Sequence, residues 1–168
     1  MKYRWVIILS FLGLIFYHFP GAIIGFIVGS FLDSKTSGQK VQQVFFDASF
    51  QLMGYLAKSD GHVSKKEIIA ATHIMRDMGL NAEMRQKAIE LFNDGKAEGF
   101  DIHITLKRLK IAAWRYPSLL KLFLDCQYQI AIADGAMVSQ KKKDAFEHIC
   151  LLLGIRGFRF NSFNQQNS

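Results

Sequence analysis

Apolar and polar positions divide this chain into two regimes. From Trp5 to Leu32 no charged side chain interrupts the sequence, which reads WVIILSFLGLIFYHFPGAIIGFIVGSFL. From Val41 onward, apolar residues return instead at spacings of three and four. Val44, Phe45, Ala48, Leu52, Tyr55 and Leu56 set that rhythm, which marks one buried face of a helix. Ser64 to Met78 reads as a second helix, opened by the capping box Ser64-x-x-Glu67 and closed by Gly79. Further helices are expected at Ala82 to Asp94, Asp101 to Trp114, Ser118 to Ala133 and Ser139 to Leu153. Pro117 ends the fourth and Gly154 follows the sixth. No stretch alternates with period two for long enough to argue a sheet. The fold class is therefore all-α, a bundle of six or seven helices.

The apolar run is long enough to cross a bilayer, for which about 20 residues suffice. Lys2 and Arg4 precede it, Asp33 and Lys35 follow it, and all 14 acidic residues lie beyond it. A cleaved signal peptide would end in a small-residue site with polar sequence soon after. Here apolar residues continue past Pro20 for another dozen positions, so an uncleaved anchor is expected. The expected organisation is an anchor over 1–32, a polar linker over 33–43, a helical domain over 44–157 and a polar tail over 158–168.

Inside the run, Gly21, Gly25 and Gly29 recur every fourth residue and fall on one helix face. Small residues so placed let two membrane helices approach closely, which predicts a homodimer through this face. Pro20 would kink the helix. His18 is either a polar site within the membrane or a partner for backbone groups that Pro20 frees. Lysines and arginines are balanced on the two sides of the run, so charge leaves its orientation open.

The formal charge is +7. Lys107, Arg108 and Lys110 form one basic cluster, and Lys141, Lys142 and Lys143 another. They read as solvated helix faces or, beside a membrane, as attraction to anionic headgroups. No nucleic-acid-binding motif is present, so nucleic acid is not an expected partner. Cys126 and Cys150 lie in apolar helical contexts and read as core residues. No Walker A, G-x-S-x-G, H-E-x-x-H or zinc-ligand spacing is present, and an enzyme is not expected.

The domain carries an internal repeat. Asp60-Gly61 precedes Ser64, and Asp134-Gly135 precedes Ser139. Each Ser lies at the same distance from its closing glycine, Gly79 or Gly154. Ala70, His73 and Ile74 then match Ala145, His148 and Ile149. These residues resemble the TerB-like, tellurite-resistance type of all-α domain, whose mark is an acidic Asp-Gly turn at a helix start, present twice. The order of pieces along residues 1–157 is similar to the N-terminal part of DjlA-type membrane-anchored DnaJ-like co-chaperones. The matching pieces are the glycine-spaced anchor, Met53 to Ser59, Phe92 with Gly95 and Lys96, and Phe123 through Gln127 and Gln129 to Gly135.

That resemblance implies a bacterial inner-membrane protein with its N-terminus in the periplasm and its helical domain in the cytoplasm. It implies a lipid bilayer and a cytoplasmic protein as partners. DnaK would be a partner only if further sequence supplies a J domain, because neither proline here follows a histidine. These 168 residues alone are expected not to stimulate DnaK. The resemblance also implies a divalent metal at acidic residues, to which Asp60, Glu67 and Asp134 correspond. Against this, Lys141 and Lys142 stand where the second half should have an acid, and Asp60 and Asp134 could equally cap helices. The alternative reading is a membrane-associated stress-response or metal-binding protein unrelated to DnaK.

Overall fold

The computed structural model describes residues 37–135, 138–155 and Phe160. Six helices are described: α1 Ser37–Lys58, α2 Lys65–Asp77, α3 Ala82–Gly95, α4 Ile102–Ala113, α5 Pro117–Ala131 and α6 Gln140–Leu153. No described helix is long and apolar enough to cross a membrane. The apolar run from Trp5 to Leu32, with Gly21, Gly25 and Gly29, lies outside the described residues.

Expected helices and observed ones agree to within a few residues from α2 onward, because local signals set their ends. Ser64, Asn81, Asp101 and Ser139 each accept a backbone N–H of the following turn, the bond that starts a helix. Pro117 is not the stop of α4 but the first residue of α5, where its missing N–H costs nothing. The first helix differs more. Residues 37–43, read as linker, are the first two turns of α1. Gln and Lys are good helix formers, and a helix nucleated by the core downstream propagates through them.

α1 is the axis of the bundle. Phe45, Phe46, Ala48, Phe50, Leu52, Met53, Leu56 and Ala57 are all buried, so the helix is apolar nearly all round, as a surrounded helix must be. It packs against α3, α4, α5 and α6. The tightest approach is to α3. A Cβ on Gly54 would overlap the carbonyl of Phe92, and one on Gly95 would overlap the carbonyl of Gln51. These two glycines let the backbones touch. α2 packs against α5 and adds Ala71, Ile74 and Met75 to the core. The tail also contributes: Phe160 is buried against Tyr128 and Phe146, and its N–H donates to Glu147 at 2.9 Å. Core packing thus extends beyond residue 157, where the helical domain was expected to end.

Candidate functional site

The two Asp-Gly turns meet in space. Each turn reverses at a glycine in the left-handed region, Gly61 at φ 106° and Gly135 at φ 107°. Each is followed by a serine cap. At α2 the capping box is complete: Ser64 Oγ accepts from Glu67 N at 3.1 Å, and Glu67 Oε2 accepts from Ser64 N at 2.8 Å. Ser139 Oγ accepts from Lys142 N at 3.3 Å. Glu67 and Lys142 therefore hold the same position, the third residue of their helices. The repeat that aligns Ala70 with Ala145 aligns Glu67 with Lys142.

Lys142 is the hub. Its Nζ lies 2.8 Å from Asp60 Oδ2, 2.9 Å from Glu67 Oε1 and 3.2 Å from Asp134 Oδ2. Lys142 is 2% exposed and Glu67 0%. The turns also clasp each other crosswise. Ser139 Oγ donates to Asp60 Oδ2 at 3.5 Å, and Lys66 Nζ donates to the Asp134 carbonyl at 3.3 Å. A side chain from the second repeat thus closes the first, joining the start of α2 to the start of α6.

The electrostatics follow from this packing. Burial opposes the charge on Lys142, but its hydrogen bonds to Asp60, Glu67 and Asp134 outweigh that and hold its pKa above the ordinary lysine value. Burial alone would raise the Asp60 carboxyl, yet the hydrogen bond and charge of Lys142 carry it below the usual range. Asp134 is also held low, by a hydrogen bond from Ser64 first and by Lys142 after it. The cluster is an ion knot in which one ammonium is paired with three different carboxylates.

The structure thus brings together Asp60, Glu67 and Asp134, the residues singled out for a divalent metal. The point on which they converge holds an ammonium. A divalent ion there would meet Lys142 Nζ within contact distance, and the carboxylate oxygens it needs are already ion-paired with that nitrogen. Among the described residues, no three His, Cys, Asp or Glu side chains are arranged to hold a metal ion. From the sequence, Lys142 figured only as a residue standing where the second half should have an acid. Its reach to Asp60 and Glu67 was missed, although the repeat places it opposite Glu67.

The remaining candidates are quiet. Cys126 and Cys150 are free and buried, and burial pushes both thiols up to about 12, where a reactive thiolate does not form at neutral pH. His73 bonds Arg76 at the surface, and His103 meets His148 edge to face. A shallow groove between α2 and α5 is lined by Ile69, His73, Asp77 and Ile132 among others.

A helical domain in which two Asp-Gly turns open two capped helices and lock together is the class of protein this chain represents. It belongs to the TerB family: the family described as "Tellurite resistance protein TerB" matches residues 46–165. Among curated proteins it is similar to those named "Co-chaperone protein DjlA". That of Coxiella burnetii (strain RSA 493 / Nine Mile phase I) is 39% identical, over 79% of this chain and 49% of that protein. That of Legionella pneumophila subsp. pneumophila (strain Philadelphia 1) is 37% identical, over 80% and 49%. That of Photobacterium profundum is 34% identical, over 83% and 55%. The chain spans about half the length of the curated relatives it matches. No solved structure matches it.

Proposed function

We propose that this chain is the membrane-anchored, TerB-like interaction module of a DjlA-type co-chaperone of DnaK. The observation that carries the reading is its similarity to proteins named as co-chaperones, over about four fifths of its own length, together with the TerB family match over residues 46–165. Residues 5–32 act as the anchor in the bacterial inner membrane, with the helical domain in the cytoplasm. Gly21, Gly25 and Gly29 form the face through which two anchors pair. Lys142 serves as a built-in cation, so that Asp60, Glu67 and Asp134 lock the domain without a bound metal. The module's work is placement: it holds a cytoplasmic partner, or a J domain joined to it, at the membrane.

A comparison of two proteins tests this. The 168-residue chain contains no His-Pro pair, and it should leave the DnaK ATPase rate unchanged in a single-turnover assay. The same chain with a J domain fused after Ser168 should stimulate DnaK and should carry that stimulation into the membrane fraction. Stimulation by the shorter chain, or a fused protein left in the soluble fraction, would refute the reading. For the anchor, Gly25→Leu should weaken self-association in a membrane reporter assay, and unchanged association would remove the proposed face.

A further inference from the structure

One surface is left unexplained by the cluster and by the anchor. Between Ile102 and Leu124 every charged residue is basic: Lys107, Arg108, Lys110, Arg115 and Lys121. The buried face of α4 is Ile102, Leu106, Leu109 and Ala113. Its opposite face is not simply polar. Ile104, Lys107, Arg108 and Ile111 recur at helical spacing, and all are exposed. Ile104 is 57% exposed, Ile111 64% and Trp114 68%. Tyr116 follows, also exposed, and the Arg115 guanidinium lies 5.0 Å from the centre of the Trp114 ring.

Two isoleucines and a tryptophan thus stand on the water side of α4 and the turn after it. Isoleucine and basic side chains on one stripe, ending in Trp and Tyr, are the composition of a helix that lies in a membrane interface. The basic groups match anionic headgroups, and the apolar ones reach the upper acyl chains. Phe100, just before α4, lies against Tyr55, in the last turn of α1, with ring centres 6.0 Å apart. α4 therefore starts beside the last turn of α1 and packs along it. The second basic cluster is a poorer candidate, because Lys142 is buried in its ion knot.

We propose that the exposed face of α4 and the turn after it, from Ile104 through Lys107, Arg108 and Ile111 to Trp114 and Arg115, docks on the anionic surface of the membrane that anchors the chain. This rests on the reading of residues 5–32 as an anchor. Docking would hold the domain in one orientation on the bilayer.

The test uses the full chain carrying Trp5→Phe, which leaves Trp114 as its single tryptophan. It is reconstituted into vesicles of equimolar phosphatidylglycerol and phosphatidylcholine, or of phosphatidylcholine alone, with bromine on the upper acyl carbons. Flotation after a high-salt wash reports the anchor, and quenching of Trp114 reports docking. The expected result is flotation with both vesicles and strong quenching only with the anionic one. Lys107→Glu with Arg108→Glu should abolish quenching without changing helical content. Lys141→Glu with Lys143→Glu should leave it intact. Flotation without quenching would overturn the docking face and leave the anchor standing. Loss of flotation would overturn both. Equal quenching in phosphatidylcholine alone would overturn the role of charge. Binding of polyglutamate without quenching by lipid would assign the face to an acidic protein instead.

Discussion

The turn at Asp60 and the turn at Asp134 open helices of one design, yet they differ at one buried position. Both turns have an Asp-Gly reversal, a serine cap and a third helical residue that points inward. In the first that residue is Glu67, which completes its own capping box. In the second it is Lys142, which does nothing for its own cap beyond an N–H and reaches across to the other half. A duplicated acidic turn would crowd carboxylates together in a dry place. Changing one acid to lysine turns that repulsion into a clasp. A repeat need not keep its chemistry to keep its geometry, and a single reversal of charge makes the two halves mutually dependent.

The most severe way to break this asymmetry is to restore symmetry. Lys142→Glu puts two buried acids face to face with Asp60 and Asp134 beside them. The loss should be about 5 kcal/mol in urea unfolding, the upper end for an uncompensated buried charge. The variant should also gain a melting temperature that rises with calcium, whereas the natural chain should melt at the same temperature in calcium and in chelator. A natural chain stabilised by calcium would restore the metal reading of Asp60, Glu67 and Asp134.

Removing one partner at a time is the next largest effect. Lys142→Met should cost about 3 kcal/mol, because it strands the buried Glu67 carboxylate, whereas Glu67→Gln should cost less, because Lys142 keeps Asp60 and Asp134 as partners. The double variant should cost less than the sum, since with residue 67 neutral the loss of Lys142 no longer strands a fully buried charge. A double-mutant cycle on urea unfolding measures this, and additive losses would show that the two side chains are not coupled.

The smaller effects separate the two aspartates. Asp60 is the more enclosed and sits nearer Lys142, at 2.8 Å against 3.2 Å for Asp134. Asp60→Asn should therefore cost more than Asp134→Asn, roughly 1 kcal/mol against a few tenths, since solvent screens the exposed partner. Acid should act on both. Their pKa values lie below the ordinary 3.8, so their contribution is complete above that value and is lost as pH falls through the lower, folded values. Lys142 is shifted the other way, so its contribution is complete below 10.5 and is lost only as pH rises past its folded value. Thermal melts should therefore lose stability below about pH 4 and hold it through mild alkali. The Glu67→Gln, Lys142→Met protein should show a flatter acid limb.

Much of the fold was legible because its signals are local. Ser64, Asp101, Ser139, Gly79 and Gly154 bracket helices through caps that depend on neighbours a few residues away. The start of α1 was not legible, because a polar helical turn held by downstream packing looks like a linker in one dimension. The place of Phe160 in the core was missed for the same reason: one apolar residue in a polar tail carries no periodicity.

The candidate site was half legible. The acids and both turns could be picked out, and so could the charge reversal in the second half. What Lys142 does with its charge could not. A lysine read beside Asp134 is a neighbour of one acid; in the folded domain it reaches residues 75 and 82 positions earlier, Glu67 and Asp60. Gly54 and Gly95 are likewise unremarkable as residue types, and only packing makes them the contact between α1 and α3. Residue types and short spacings were enough for the helical class, most helix ends, the repeat and the apolar run. Which residues share a point in space was settled by tertiary packing: the ion knot at Lys142, the glycine contact of α1 with α3, and the exposed basic and apolar face of α4. Those depend on how helices separated by long stretches of chain are brought together, which no local spacing encodes.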